Sequence, residues 1–164
     1  PNAGHLGLAE LETHFDVQII TQNVDDLHEK AGSKQVLHLH GELNKVRSTR
    51  HPELIYHWEK DLNLGDHCER GSQLRPHIIW FGEPVPMIEP AAMEIMQAEL
   101  VVIIGTSMQV YPAAGLVGLA PDHTPVYYID PKPSINYELN ATRHLTIIEE
   151  PATTGVRKLF DLLS

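Results

Sequence analysis

The chain has 164 residues, 42% of them apolar, and carries 12 Lys and Arg against 22 Asp and Glu, a formal net charge of −10. That length suits one domain, or one domain with a small insertion. The acidic balance excludes DNA or RNA as a partner unless a local basic patch intervenes, and Lys45, Arg47 and Arg50, without interleaved aromatics, do not make one; a cationic partner such as a lysine-rich protein tail is compatible with it. No apolar run approaches the roughly 18 to 20 residues that span a bilayer, so no membrane is expected. Residues 1–5 lack the basic-then-apolar pattern of a secretory signal, and position 1 is Pro rather than Met, so the start of the protein is expected upstream. Cys68 is the single cysteine, which rules out a disulfide within the chain and fits a reducing, cytoplasmic setting.

In chain order, Leu6, Leu8, Ala9, Leu11 and Phe15 recur mostly at three- and four-residue spacing, which predicts an amphipathic helix over residues 5–15. Val17 to Ile20 and Val36 to Leu39 read as short strands. Between Gly41 and Leu74 regularity drops, with Pro52, Gly65 and Gly71 as punctuation, so this stretch is the candidate insertion. Ile78 to Phe81 reads as a strand and Pro90 to Ala98 as a helix with proline in its first turn. Leu100 to Ile104 is an unbroken apolar strand of the kind buried on both faces of a parallel sheet. A helix over residues 112–120, strands over 126–129 and 145–148, and a helix over 153–163 complete the pattern. Strands alternating with helices predict an α/β fold, a Rossmann-like parallel sheet with helices on both faces and a small inserted module.

Ligands of open α/β sheets bind beyond the carboxyl ends of the strands. Four strand ends here carry compact polar groups: Gln22 to His28, His40-Gly41-Glu42, Gly105-Thr106-Ser107 and Asp130. Taken singly, each has a plainer reading. Asn23, Asp25 and Asp26 suit turns and helix caps. Gly-Thr-Ser follows many strands, and a strand-end histidine such as His40 is often only structural. Phe81 is also readable as a core side chain.

Read together, the string Thr21-Gln22-Asn23-Val24-Asp25-Asp26-Leu27-His28, then Ala31-Gly32-Ser33, then Leu37-His38-Leu39-His40-Gly41-Glu42-Leu43 resembles the sirtuin signature. Arg75-Pro76-His77-Ile78-Ile79-Trp80-Phe81-Gly82-Glu83 and Gly105-Thr106-Ser107-Met108-Gln109-Val110-Tyr111-Pro112 follow in the family's order and spacing. The wording is closest to bacterial members of its deacetylase and desuccinylase branch.

The resemblance implies removal of acetyl or succinyl groups from protein lysine with NAD as co-substrate, releasing nicotinamide and O-acyl-ADP-ribose. Gln22, Asn23, Val24 and Asp25 would surround the nicotinamide ribose and carboxamide. Gly105, Thr106 and Ser107 would contact ribose and phosphate, with Asp130 and Ala152 towards the adenosine. His40 would be the general base, a task suited to imidazole because its titration lies near neutral pH. Gly82, Glu83, Gln109, Val110 and Tyr111 would pair with the substrate backbone by strand addition, and Ile79, Phe81 and Val110 would line the acyl tunnel. The implied division is residues 1–41 and 75–164 for the NAD-binding domain and 42–74 for the inserted module.

Two departures from the family stand out. Its glycine-rich phosphate-binding turn and the following arginine-bearing loop are not found among these residues, nor is the Tyr and Arg pair that selects acidic acyl groups; all are expected before residue 1. Most members also hold zinc with four cysteines in the inserted module, whereas this interval has Cys68 alone, so no zinc is expected. Packing of Leu54, Ile55, Tyr56, Trp58, Leu62 and Leu64 would replace it; a site from His51, His57, His67 and Cys68 is the alternative. Two other functions share the pattern: a binding module for NAD, ADP-ribose or a protein tail without turnover, and ADP-ribosyl transfer onto protein.

Overall fold

The computed structural model describes residues 1–163. Helix α1 (Ala3–Leu11) starts three residues before its first periodic apolar position, Leu6, because Asn2 caps it, its side chain accepting from the amides of Gly4 (2.9 Å) and His5 (3.2 Å). It ends at Leu11, so Phe15 lies outside it and is exposed. Strand β1 (Ile19–Thr21) pairs in parallel with β2 (Val36–His38), Thr21 opposite His38. Between them runs the short helix α2 (Leu27–Ala31), stopped by Gly32 at φ +107°.

Residues 41–78 form an antiparallel sheet, although the sequence there reads as irregular. Strand β3 (Gly41–Ser48) lies between β4 (Ile55–His57) and β5 (Leu74–Ile78). Val46, Cys68 and Leu74 are buried at its heart, with Leu54, Tyr56, Trp58 and Leu62 packed around them. Leu64 remains almost fully exposed and Ile55 is exposed too, so neither contributes to this cluster as the sequence reading expects.

Helix α3 (Ile88–Met96) leads to a second parallel set, β6 (Val101–Ile104), β7 (Val126–Ile129) and β8 (Leu145–Ile148), in the order β6-β7-β8. A 3-10 helix (Ala113–Leu119) and helix α4 (Tyr137–Ala141) fill the connections, and α5 (Ala152–Leu163) closes the chain. Alternation along the strands sorts the core into two layers. Val101, Ile103, Val126 and Tyr128 face Met108, Val117 and Leu139 on one side. Ile129, Ile148, Val102 and Ile104 face Leu11, Val156 and Leu159 on the other. This is the three-layer arrangement predicted, with helices on both faces.

The parallel strands fall into two hydrogen-bonded groups, β1-β2 and β6-β7-β8, rather than one continuous ladder. Leu39, Ala91 and Leu116 bury the face of β1-β2 against α3 and the 3-10 helix. Full burial of a side chain such as Leu39 stabilises the fold by about 1.5–3 kcal/mol. Close helix contacts depend on glycine: a side chain at Gly155 of α5 would overlap the Ile129 side chain of β7. At Gly7 of α1 a Cβ would stand 2.8 Å from Val156.

Candidate functional site

The tips of β1, β2 and β6 converge. Gln22, the first residue past β1, donates from Nε2 to Thr106 Oγ1 at 3.4 Å and so links the loop after β1 to the turn after β6. Its carbonyl lies 3.1 Å from Nδ1 of His40, just beyond β2. One residue on, the Asn23 carbonyl lies 3.1 Å from Nδ1 of His38. Two histidines on one face of an extended segment thus hold two successive carbonyls of the same loop. For His40 this bond requires the proton on Nδ1, which leaves Nε2 with its lone pair available.

The loop itself is tightly turned. The Asn23 amide donates to Thr21 Oγ1 (3.1 Å), the Leu43 amide to the Val24 carbonyl (2.7 Å), and the Leu27 amide to Asp25 Oδ1 (3.1 Å). Asp25 therefore acts as a turn residue with one carboxylate oxygen and has the other left over. Asp26 pairs with Lys30 at 2.7 Å, and that ammonium lowers its pKa.

After β6 the backbone turns through Gly105 at φ +60° and Met108 at φ +56°. No atom lies within 4 Å of where a Gly105 side chain would be, so the turn opens onto free space wide enough for a ligand's backbone contact. The Thr106 carbonyl accepts from the Tyr128 hydroxyl at 2.6 Å, and that hydroxyl accepts from the Ser134 amide at 3.2 Å. Asp130, past the tip of β7, accepts from the Lys132 amide at 2.7 Å. Ala152 opens α5 and packs against Gly4 of α1.

The candidate substrate residues fall into two groups. Ile79 is joined to His40 directly, its amide donating to the His40 carbonyl at 2.9 Å. The strand predicted over residues 78–81 ends at Ile78. Beyond it the Glu83 carboxylate accepts from the Trp80 amide (3.0 Å), and Gly82 at φ +89° completes a turn. Phe81 is 99% exposed at that turn, which overturns its reading as a core side chain.

Glu83 is committed to Arg75 (2.6 Å) and Arg47 (3.2 Å); its hydrogen bond to Arg75 is the main reason its pKa falls to about 2. Its amide donates to the Trp80 carbonyl at 3.0 Å, so only its carbonyl is left for a partner. In the second group Gln109 reaches Ser134 Oγ at 3.5 Å and Val110 is exposed. The Tyr111 hydroxyl donates to Glu138 at 2.8 Å, which raises its pKa.

The sequence reading passed over His38 and Tyr128. The alternation His38-Leu39-His40 was the available signal for the first, since residues two apart on an extended chain share a face. A tyrosine in an otherwise apolar strand was the signal for the second, because a buried hydroxyl requires a partner. Near the β3–β4–β5 sheet, Cys68 donates to Ser48 Oγ at 3.3 Å inside the apolar cluster.

A family model for the Sir2 family matches residues 1–112. The chain belongs to the Sir2 family. Among curated relatives it is similar to an NAD-dependent protein deacylase of Helicobacter pylori, 61% identical over 132 residues, which cover 80% of this chain and 58% of that protein. Among solved structures, one described as a Sir2 homolog–NAD complex matches all of this chain and 66% of its own, with 34% identity and a TM-score of 0.82. Another, Sir2 with a p53 peptide and NAD+, matches 99% of this chain and 70% of its own at 28% identity, TM-score 0.80. The chain spans less than two thirds of the length of the Helicobacter relative.

Proposed function

We propose that this Sir2-family chain forms the NAD-binding, catalytic part of an NAD-dependent protein-lysine deacylase, acting on acetyl- or succinyl-lysine. One observation carries the reading: His40, its tautomer set by the Gln22 carbonyl, presents an available Nε2 beside the loop that Gln22 ties to Thr106. Relatives named NAD-dependent protein deacylase, and neighbours solved with NAD and with a peptide, support it.

NAD, as co-substrate, supplies an activated ribose whose bond to nicotinamide breaks as the acyl oxygen attacks. This chain's residues do the rest. Gln22, Asn23, Val24 and Asp25 would enclose the nicotinamide end, and the uncommitted oxygen of Asp25 can accept from the carboxamide. His40 Nε2 would take a proton from a ribose hydroxyl, so that the hydroxyl can attack the acyl carbon, and water would then release free lysine and leave the acyl group on ADP-ribose. The fit is reasonable at the turn after β6, where Gly105 faces open space and Thr106 and Ser107 offer hydroxyls. Asp130 and Ala152 would lie towards the adenosine. Since the acyl group ends on ADP-ribose, the reaction is a transfer.

The peptide would add as a strand between Gly82–Glu83 and Gln109–Tyr111, with Ile79, Phe81 and Val110 around the acyl-lysine. Exposure of Phe81, Val110 and Tyr111 supports an open apolar surface there. Residues 42–74 would be a module inserted between 1–41 and 75–164, held by apolar packing around Cys68 rather than by a thiolate zinc site. The single, unpaired cysteine supports a cytoplasmic location as part of this reading; among the described residues no helix is long and apolar enough to cross a membrane.

The test mixes the protein with NAD and an acetylated or succinylated lysine peptide and follows nicotinamide release by mass spectrometry. Release that depends on peptide and disappears in His40→Ala is expected. Equal release from His40→Ala overturns the mechanism, and NAD binding without release favours a binding module.

A further inference from the structure

The peptide-pairing arm Gln109–Tyr111 is tied down on both sides by one side chain. Asn136 Nδ2 donates to the Met108 carbonyl at 3.2 Å and to the Ala114 carbonyl at 3.4 Å. Met108 precedes the arm, and Ala114 lies in the first turn of the 3-10 helix that follows it. The two N–H groups of a single amide therefore span the arm's base. The Ala114 amide adds an internal tie, donating to the Val110 carbonyl at 2.9 Å. Between these ties Val110 and Tyr111 are exposed.

The other end of the Asn136 side chain is anchored. Its Oδ1 accepts from the Leu139 amide at 2.9 Å and so caps α4. Leu139 is 1% exposed and packs in the core with Met108 and Val117, which fixes α4 over β6 and β7. Met108 itself lies at φ +56°, a left-handed conformation that a non-glycine residue keeps only where its surroundings impose it. Its buried side chain and held carbonyl impose it here. Two further bonds join the same segments: Gln109 Nε2 reaches Ser134 Oγ at 3.5 Å, and the Tyr111 hydroxyl donates to Glu138 at 2.8 Å. Ser134, Asn136 and Glu138 thus hold the arm along its length.

Adding a peptide strand is favoured when the receiving backbone is already fixed, because ordering a loose arm subtracts from the affinity. We propose that Asn136 is a positioning residue for the peptide, setting the arm's geometry while touching neither peptide nor NAD. The inference rests on the reading of Gln109–Tyr111 as the segment that pairs with the peptide. Tyr128 has a different role, since its hydroxyl holds the neighbouring turn at Thr106.

The decisive variant is Asn136→Asp, which keeps an oxygen to cap α4 but has no N–H for the two carbonyls. A fluorescein-labelled acetyl-lysine peptide, followed by anisotropy, is expected to bind it about three- to tenfold more weakly. NAD affinity by calorimetry, kcat at saturating peptide and the melting temperature stay at their wild-type values. Asn136→Ala, which removes cap and clamp together, weakens peptide binding as well and also lowers the melting temperature. Asn140→Ala, exposed on the same helix, leaves peptide binding unchanged. Wild-type peptide affinity in Asn136→Asp, an equal loss of NAD affinity, or no peptide binding by the wild type overturns the clamp. Anisotropy needs no turnover, so a protein that binds peptide in this pattern without releasing nicotinamide supports the clamp and overturns only the deacylase reading.

Discussion

His40 Nδ1 stands 3.1 Å from the Gln22 carbonyl oxygen, a contact between residues 18 apart in sequence that joins the ends of two parallel strands. A carbonyl cannot donate, so the bond selects the tautomer with a free Nε2. The same contact orients the ring, which a general base requires before its basicity matters.

His40→Ala removes the proposed base while leaving the strands beneath it in place. Deacylation is expected to fall about a hundredfold to ten-thousandfold, the usual range for general-base loss. The circular dichroism spectrum and melting temperature should stay near wild type, which separates a chemical defect from an unfolded one. Wild-type turnover in the variant would place the base elsewhere.

Glu83 makes a pH-dependent contribution to stability. Its carboxylate is held by Arg75, the Trp80 amide and Arg47, and its pKa is depressed from an ordinary 4.5 to about 2. A carboxylate with a lower pKa folded than unfolded stabilises the native state fully above the unfolded value. That contribution is lost as pH falls from about 4.5 through about 2. Urea unfolding at several pH values should therefore show Glu83→Gln less stable than wild type at pH 7, with the gap closing across that acid window. A gap independent of pH would mean that the ion pairs contribute nothing through charge.

Gly41 lies at φ +85°, and a Cβ there would run into the His77 carbonyl. The residue after the proposed base must therefore be glycine for β3 to approach β5. Gly41→Ala combines left-handed strain with a backbone overlap, so a loss of more than about 1 kcal/mol is expected in denaturant unfolding. An unchanged midpoint would show that the β3–β5 pairing is not needed for stability.

The strands β6, β7 and β8 were legible because each is a short, largely β-branched or aromatic run, a pattern local to the run itself, although only β6 and β7 are covered on both faces and β8 leaves Thr146 and Ile147 exposed. The sheet of β3, β4 and β5 was not. Its strands carry mixed charges such as Glu42, Lys45, Arg47 and Arg75, and they are specified by pairing partners far along the chain. Helices α2 and α4, five residues each, are too short to show periodicity. In the site, the strand-end rule located Gln22, His40 and Thr106. The commitments of His38 to Glu29 and of Glu83 to Arg75 depend on which side chains meet across elements, which spacing in one segment does not encode.

Tyr128 offers a test of how the turn after β6 is held. It is fully buried, its hydroxyl donates to the Thr106 carbonyl at 2.6 Å and accepts from the Ser134 amide at 3.2 Å, and it touches no proposed reacting atom. Tyr128→Phe keeps the ring's packing but strands one acceptor and one donor, a cost of about 1–3 kcal/mol readable as a lower unfolding midpoint. Thr106 is also the residue that Gln22 reaches, so the loosened turn should bind NAD less well while His40 stays in place. The expected kinetic signature is a raised KM for NAD with kcat little changed, since binding before the chemical step is what weakens. An equal fall in kcat at saturating NAD would instead show that the Tyr128 bond holds the reacting geometry itself, and an unaltered KM with lowered stability would confine the hydroxyl's two bonds to a structural role.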